Sequence, residues 1–311
     1  MVSGLTERPT QSHYTPAPKT DFVLPFDLPN ADLRGRFVRL GGVVSRALTA
    51  HPLPEAASRI LAEAVTLDAM LGSALKLEGR VSVQLKGDGP LNMAVADFYA
   101  GGGLRGYARY DETVASAAPH NFHGLVGKGI LAITLEPKPG ATNYQGMVAL
   151  SDKSLAASAE TYFAQSEQLP TLLRLAAAPI YRADAREKRG WTTGGLMVQA
   201  VPGREEHEIR DSDDWQRIAL FLETLEDIEL LDTELAAEEL LWRLFHEDKV
   251  RVQPAQPLHF QCSCAAEKVL PVLKSYPAAE RAELADADGI IRARCEFCGT
   301  SYDFPLDVLT G

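Results

Sequence analysis

The sequence predicts an α+β protein: an N-terminal mixed sheet with packed helices, a metastable helical linker and a small C-terminal four-cysteine module. Three observations carry that expectation. Segments of alternating apolar and polar residues recur between about residues 81 and 201 in hairpin-like groups, with helical segments set apart from them, as in α+β domains. An acidic stretch follows, with apolar residues at helical spacing. The four cysteines of the 311-residue chain then fall into two tight pairs within the last fifty residues.

Through Thr20 the chain is polar and rich in Pro and Thr, with no apolar signal core, and reads as a flexible tail (1–20). The core domain is expected over 21–203. Within it, residues 54–77 place Ile60, Leu61, Ala64, Leu67, Leu71, Ala74 and Leu75 at helical spacing. Val81, Val83 and Leu85 alternate as a half-buried strand does. The turn Gly87-Asp88-Gly89-Pro90 leads to a second strand through Met93, Val95 and Asp97, and Gly101-Gly102-Gly103 leads to a third over 104–110. Further strands are expected at 129–135, 144–150, 171–180 and 196–201. A helix over 154–168 should end at Leu169-Pro170.

The linker is assigned to 204–257. Its residues 204–240 hold fourteen carboxylates against three arginines, so the chain's whole net charge of −11 sits there. A helix over 213–231 puts Trp215, Ile218, Leu222, Leu225 and Ile228 on one face, with Ser212 as cap and Asp213 and Asp214 at its positive end. A second, over 236–246, carries Leu240, Leu241, Leu244 and Phe245, with Trp242 beside them. Pro254 and Pro257 then break the chain before the module at 258–311. Short amphipathic helices are marginal alone and need a surface to dock on. Dense negative charge eases their undocking, which makes the linker metastable.

Bulk properties exclude several classes. No apolar run reaches the roughly 18 residues of a membrane span. The acidic balance argues against nucleic acid, whose phosphates need a basic footprint. Without an export signal the expected compartment is the cytoplasm, where thiols stay reduced and paired cysteines serve metal or redox chemistry.

The cysteines are Cys262-Ser263-Cys264 and, thirty residues on, Cys295-Glu296-Phe297-Cys298-Gly299. Two close pairs suit one tetrahedral Zn²⁺ at about 2.3 Å from each sulfur, and the same thiols can be oxidised in pairs. Gly299 fits a metal knuckle that needs a positive φ. A structural zinc site, a redox switch, or both are consistent with the spacing. His246 and His259 are not needed as ligands. The glycines at 41–42, 87–89 and 101–103 lack a phosphate-loop pattern and read as turns. His123, Asp97 and Asp152 form no recognisable catalytic constellation.

Zinc on four thiolates supplies roughly 10–16 kcal/mol of apparent folding free energy, comparable to the ~5–15 kcal/mol stability of a whole domain. It ties the two pairs together across thirty residues. Four cysteines allow three connectivities. Local disulfides, favoured by proximity, would lose the long-range tie; cross-pair disulfides would keep it. Unfolding of the module would remove a neighbour of the linker, exposing Trp215, Ile218, Leu222, Leu225, Leu240, Leu241, Trp242 and Phe245. Such faces bind other apolar surfaces while the charge keeps the opened protein soluble. That is the description of a holdase for unfolding proteins.

The chain also resembles the redox-regulated Hsp33 chaperonin family over nearly its whole length after about residue 20. The matching stretches are the C-x-C…C-x-x-C-G pattern, Val83-Gln84-Leu85-Lys86-Gly87-Asp88-Gly89-Pro90-Leu91-Asn92, Tyr144-Gln145-Gly146, Ser166-Glu167-Gln168-Leu169-Pro170-Thr171 and Trp242-Arg243-Leu244-Phe245-His246-Glu247. The resemblance implies an ATP-independent chaperone, inactive when reduced and zinc-bound, activated by peroxide or hypochlorite, monomeric when reduced and homodimeric when active. It implies Cys262, Cys264, Cys295 and Cys298 as zinc ligands, with oxidation pairing Cys262 with Cys264 and Cys295 with Cys298. The polar tail and the basic segment 183–189 depart from the family pattern. Two other readings are a zinc-stabilised binding module that never switches and a thiol oxidoreductase using Cys295 and Cys298. The oxidoreductase is weakened because its C-x-x-C does not open a helix after a strand.

Overall fold

The strands of the N-terminal region form two sheets with one long helix held between them. The computed structural model describes residues 17–75, 78–115, 121–138, 140–181, 190–201, 203 and 206–309. Most of the tail and the basic segment 183–189 lie outside the described residues.

In chain order the N-terminal elements begin with β1 (Phe22–Leu28), β2 (Leu33–Leu40), α1 (Gly42–Thr49) and α2 (Glu55–Ala74). Next come β3 (Arg80–Gly87), β4 (Leu91–Tyr99), β5 (Gly103–Tyr110), α3 (Glu112–Ala115) and α4 (Phe122–Val126). Then follow β6 (Gly129–Glu136), β7 (Tyr144–Ala149), α5 (Leu155–Tyr162), β8 (Thr171–Ile180) and β9 (Gly190–Ala200). The linker supplies α6 (Glu206–Arg210), α7 (Asp213–Thr224), α8 (Asp227–Leu231) and α9 (Ala237–Phe245). A strap of three two-residue strands follows, β10 (Arg251–Val252), β11 (Gln256–Pro257) and β12 (His259–Phe260). The C-terminal module holds α10 (Ala266–Ser275), α11 (Ala278–Leu284), β13 (Ile290–Arg294) and β14 (Ser301–Pro305).

One sheet runs β10-β1-β2-β9-β8, with β11 also on β1; the other runs β12-β5-β4-β3-β6-β7. Helix α2 packs on both sheets, which explains why it is buried on nearly every side. Val23, Val38, Leu40 and Met197 of the first sheet meet it with Val81, Val83, Ala94 and Leu131 of the second. The opposite face of the first sheet, bearing Phe22, Leu24, Phe26, Phe37, Leu196 and Val198, is covered by the linker helices. The order of layers is therefore sheet, helix, sheet, linker. A sheet buried on both faces loses its alternation. That is why β1 leaves no period-two signature, and why β9 begins at Gly190 when alternation marks only its end.

The helix expected over 154–168 is α-helical to Tyr162, continues as a π-turn over Phe163–Glu167 and ends at Gln168 with φ +51°. The helix expected over 213–231 is broken. Leu225 is extended, and Glu226 opens α8 with a reciprocal capping box to Glu229. The break rotates the following turn, so Leu230 faces the sheet and Ile228, assigned to the apolar face, is 64% exposed. Trp242 also differs from expectation. The docked stripe of α9 is Ala237, Leu240, Leu241 and Phe245, and Trp242 lies off that stripe, 62% exposed, beside the His246 ring. Asp88-Gly89 and Gly101-Gly102 lie on turns between strands, as expected, whereas Gly42 opens α1. The amides of Gly41, Gly42 and Val43 are taken by the Asp21 carboxylate, which caps α1.

Candidate metal and redox centre

Cys262 and Cys264 lie on irregular chain between β12 and α10, and Cys295 and Cys298 on the turn joining β13 to β14. The β13–β14 hairpin sets the second knuckle. Cys295 N–H donates to the Thr300 carbonyl and Gly299 N–H to the Cys295 carbonyl, both at 2.8 Å, with Gly299 at φ +72°. A side chain there would be strained and would press on the Arg294 guanidinium, 3.2 Å away.

The four sulfurs all lie within 4.8 Å of one another. Cys262 to Cys295 is 3.7 Å and Cys264 to Cys298 is 3.3 Å. A tetrahedron with metal–sulfur bonds of about 2.3 Å has edges of about 3.8 Å, so the donor set fits a metal ion. Neither His246 nor His259 joins it. The sulfurs are not equivalent. Burial pushes the Cys262 thiol up to about 12 and raises Cys295 as well. Burial also acts against Cys298, but its hydrogen bonds with Thr300, whose hydroxyl is 3.2 Å away, and with Cys264 and Cys295 outweigh it and lower that thiol to about 6. The Tyr302 hydroxyl donates to Cys264 at 3.1 Å.

The module is seated on the outer face of the β5 sheet. The Phe297 ring lies 3.8 Å from the Arg105 guanidinium and 5.9 Å from the Tyr107 ring. Arg294 donates to the Ala50 carbonyl at 2.8 Å. Burial disfavours the charge on Arg105, yet the Asp97 carboxylate holds its pKa above the ordinary arginine value. The strap joins this seat to the linker: β10 and β11 pair antiparallel with β1, and β12 pairs parallel with β5.

The linker is pinned as well as packed. Trp215, Ile218, Leu222, Leu225, Leu240, Leu241 and Phe245 are all buried against the first sheet, and Phe245 stacks on Phe26. Arg39 of β2, 1% exposed, donates to the carbonyls of Leu230 at 3.0 Å, Leu235 at 2.9 Å and Glu229 at 3.4 Å. Arg174 donates to the Leu225 carbonyl at 2.9 Å. Gly194 lets the linker backbone close in, since a Cβ there would stand 2.4 Å from the Leu230 carbonyl oxygen. Elsewhere His123 and Asp152 form a surface pair at 2.9 Å, while Asp97 serves Arg105 instead.

Sequence reasoning found the cysteines and the docked apolar residues but missed Arg39, Arg105 and the role of Phe297. An arginine in a strand carries no pattern that distinguishes a clamp from a solvated residue. Phe297 did offer a signal: an aromatic inside a metal knuckle is exposed unless something receives it.

Four thiols at coordination distance, mounted on a two-sheet body whose far face is covered by acidic helices, define a metal- or redox-centred α+β protein. A family model described as Hsp33 protein matches residues 21–305, and the chain belongs to that chaperone family. Among curated relatives, a 33 kDa chaperonin of Caulobacter vibrioides is 39% identical over 287 residues, covering 91% of this chain and 94% of that protein. The 33 kDa chaperonin of Escherichia coli K12 is 35% identical over 275 residues, covering 88% and 89%. The fold is similar to the crystal structure of the 33 kDa chaperonin of Thermotoga maritima, with a TM-score of 0.76 at 22% identity, covering 93% of this chain and 97% of that one.

Proposed function

We propose that the chain is a redox-controlled, ATP-independent holdase whose reduced, zinc-bound form is inactive. The observation that carries this reading is the path from the cysteine centre through the strap to β1, whose sheet bears on its outer face the apolar residues that the linker covers. Zinc is the ion assigned to Cys262, Cys264, Cys295 and Cys298. When bound it keeps all four sulfurs as thiolates and cross-links the two knuckles. The chain's part is to present four soft donors at one tetrahedral spacing and to couple that cross-link to the sheet.

Oxidation is assigned to the local pairs, Cys262 with Cys264 and Cys295 with Cys298. For each, two thiolates lose two electrons, one S–S bond forms, and one molecule of hydrogen peroxide, taking two protons from solvent, is reduced to two waters. With both pairs closed locally, no sulfur remains to join residues 262–264 to residues 295–298, and the small core of Leu273, Ile291, Phe304 and Leu309 is left to hold the module alone. Undocking of the strap and linker then frees Trp215, Ile218, Leu222, Leu225, Leu240, Leu241 and Phe245, together with the sheet face they cover, for unfolded or partly folded clients. Trp242 lies outside that hidden set. The active form is a homodimer, the reduced form a monomer, and the compartment the cytoplasm; neither nucleic acid nor membrane is a partner. The family's chaperonin relatives support this reading over catalytic disulfide exchange.

The test treats zinc-loaded protein with peroxide at elevated temperature and follows zinc release, thiol count, disulfide connectivity and client aggregation together. Zinc loss, local disulfides and stoichiometric suppression of aggregation are expected. Zinc and thiol loss without suppression sinks the holdase; zinc retention under oxidant leaves a purely structural site; cross-pair disulfides refute the release mechanism.

A further inference from the structure

One residue from within each cysteine pair meets the same side chain, that of Arg105. Ser263, inside the C-x-C, accepts a hydrogen bond from Arg105 Nη1 at 3.4 Å. Phe297, inside the C-x-x-C, lies against the same guanidinium at 3.8 Å. Arg105 is in turn fixed from below. Its Nε and Nη2 both donate to Asp97 Oδ2, at 2.8 and 2.6 Å, and Asp97 is its cross-strand neighbour in the β4–β5 register. Arg80 braces Asp97 at 3.4 Å and reaches Glu136 at 2.9 Å, so a charge ladder crosses β6, β3, β4 and β5 and ends under the module.

We propose that Arg105 is the positioning residue through which the body of the protein reads whether the two cysteine knuckles are joined. One guanidinium can touch both Ser263 and Phe297 only while the knuckles are held together. Separated knuckles can present at most one of them. An arginine sandwiched between a carboxylate and an aromatic face has both of its interaction modes satisfied, and lysine cannot reproduce the planar fork. The reading is passed on at once, because β12 pairs with Gly103 and Leu104, immediately before Arg105. His259 N–H donates to the Gly102 carbonyl at 3.0 Å and Gln261 N–H to the Leu104 carbonyl at 2.8 Å. These two amides report whether the strap is seated.

This inference rests on the proposed metal-bound state of the cysteines and names the contact that transmits it. The test compares hydrogen exchange of the His259 and Gln261 amides in full-length wild type, Arg105→Met and Arg105→Lys, each zinc-loaded and then stripped by chelator under reducing conditions. In wild type, stripping should speed exchange of both amides by roughly thirtyfold, the factor set by a desolvated cation–π contact of about 2 kcal/mol. Arg105→Met should exchange fast even with zinc bound and show no further change on stripping; Arg105→Lys should fall between. Zinc content and the melting of the N-terminal sheets are measured in parallel, so that misfolding or metal loss is seen directly. A response to stripping equal in Arg105→Met and wild type overturns the proposal, as does a wild type whose amides ignore the metal. Neither outcome depends on aggregation assays, so failure of the holdase reading is separately visible.

Discussion

Replacing Arg39 by Met should release the linker while leaving the metal in place. The substitution keeps most of the side-chain volume and removes the charge and its donors. Two of its hydrogen bonds, to Leu230 at 3.0 Å and Leu235 at 2.9 Å, are well formed; the third, to Glu229, is long at 3.4 Å. Hydrogen bonds from a charged donor contribute about 1.5–3 kcal/mol each, so the two good ones give about 3–6 kcal/mol. Burial opposes them. It pulls the Arg39 pKa down from the ordinary arginine value to about 10 against the pull of Asp232 and Glu238, a cost of about 3.5 kcal/mol. Taken at the middle of that range, the net contribution to docking is about 1 kcal/mol, or roughly fivefold in the docking equilibrium. The assay is amide exchange and limited proteolysis across α7 to α9 in zinc-loaded, reduced protein, with suppression of client aggregation read in parallel. Exchange in α8 and α9 should accelerate by that factor, and activity should appear without oxidant. Protection within twofold of wild type, with zinc bound, would show that apolar packing alone holds the linker.

The buried and exposed residues of the linker should separate cleanly. Ile218→Asp or Leu222→Asp places a carboxylate in a fully covered site at a cost of several kcal/mol and should give activity without oxidant, whereas Trp242→Ala should leave the reduced protein inactive; equal activation by all three would refute the docking argument. Glu63, near Arg59 and Asp227, has its carboxyl raised by burial from 4.5 to about 7. A raised folded-state value means its stabilisation is full below pH 4.5 and lost as pH rises through about 7, by no more than about 3 kcal/mol. Glu63→Gln should flatten the pH dependence of thermal stability in that window, and an unchanged slope would exclude Glu63 as its source. Chelation under reducing conditions should deprotect β13 and β14 while the N-terminal sheets melt as before; a module that stays protected without metal would not need the ion to fold.

The strands that could be read by alternation are those with one buried face. Val81, Val83 and Leu85 alternate because β3 meets α2 on one side and solvent on the other. The strand β8, in the sheet covered on both faces, is found at its expected bounds, Thr171–Ile180, as a short apolar run after Pro170 and not by alternation. The strand β1 escapes because Phe22 to Phe26 are buried to either side of their sheet, and periodicity reports a difference between faces that is absent there. The linker shows the same limit from the other direction. Its apolar residues were legible, but the break at Leu225 depends on local capping by Glu226 and on Arg174 taking the Leu225 carbonyl, and the second of these comes from a distant strand.

What the sequence determined by itself is the chemistry: four thiols in two tight pairs, an acidic amphipathic stretch and a Gly after the last cysteine are local facts of residue type and spacing. What only the tertiary structure decided is the wiring. Arg39 and Arg105 lie far along the chain from the carbonyls and knuckles they hold, and Phe297 finds its place only because the metal-knuckle turn is laid on β5. Ligand spacing is written in neighbouring residues, so sequence can show it. A clamp between distant segments exists only once two sheets, a strap and a helix layer have been stacked.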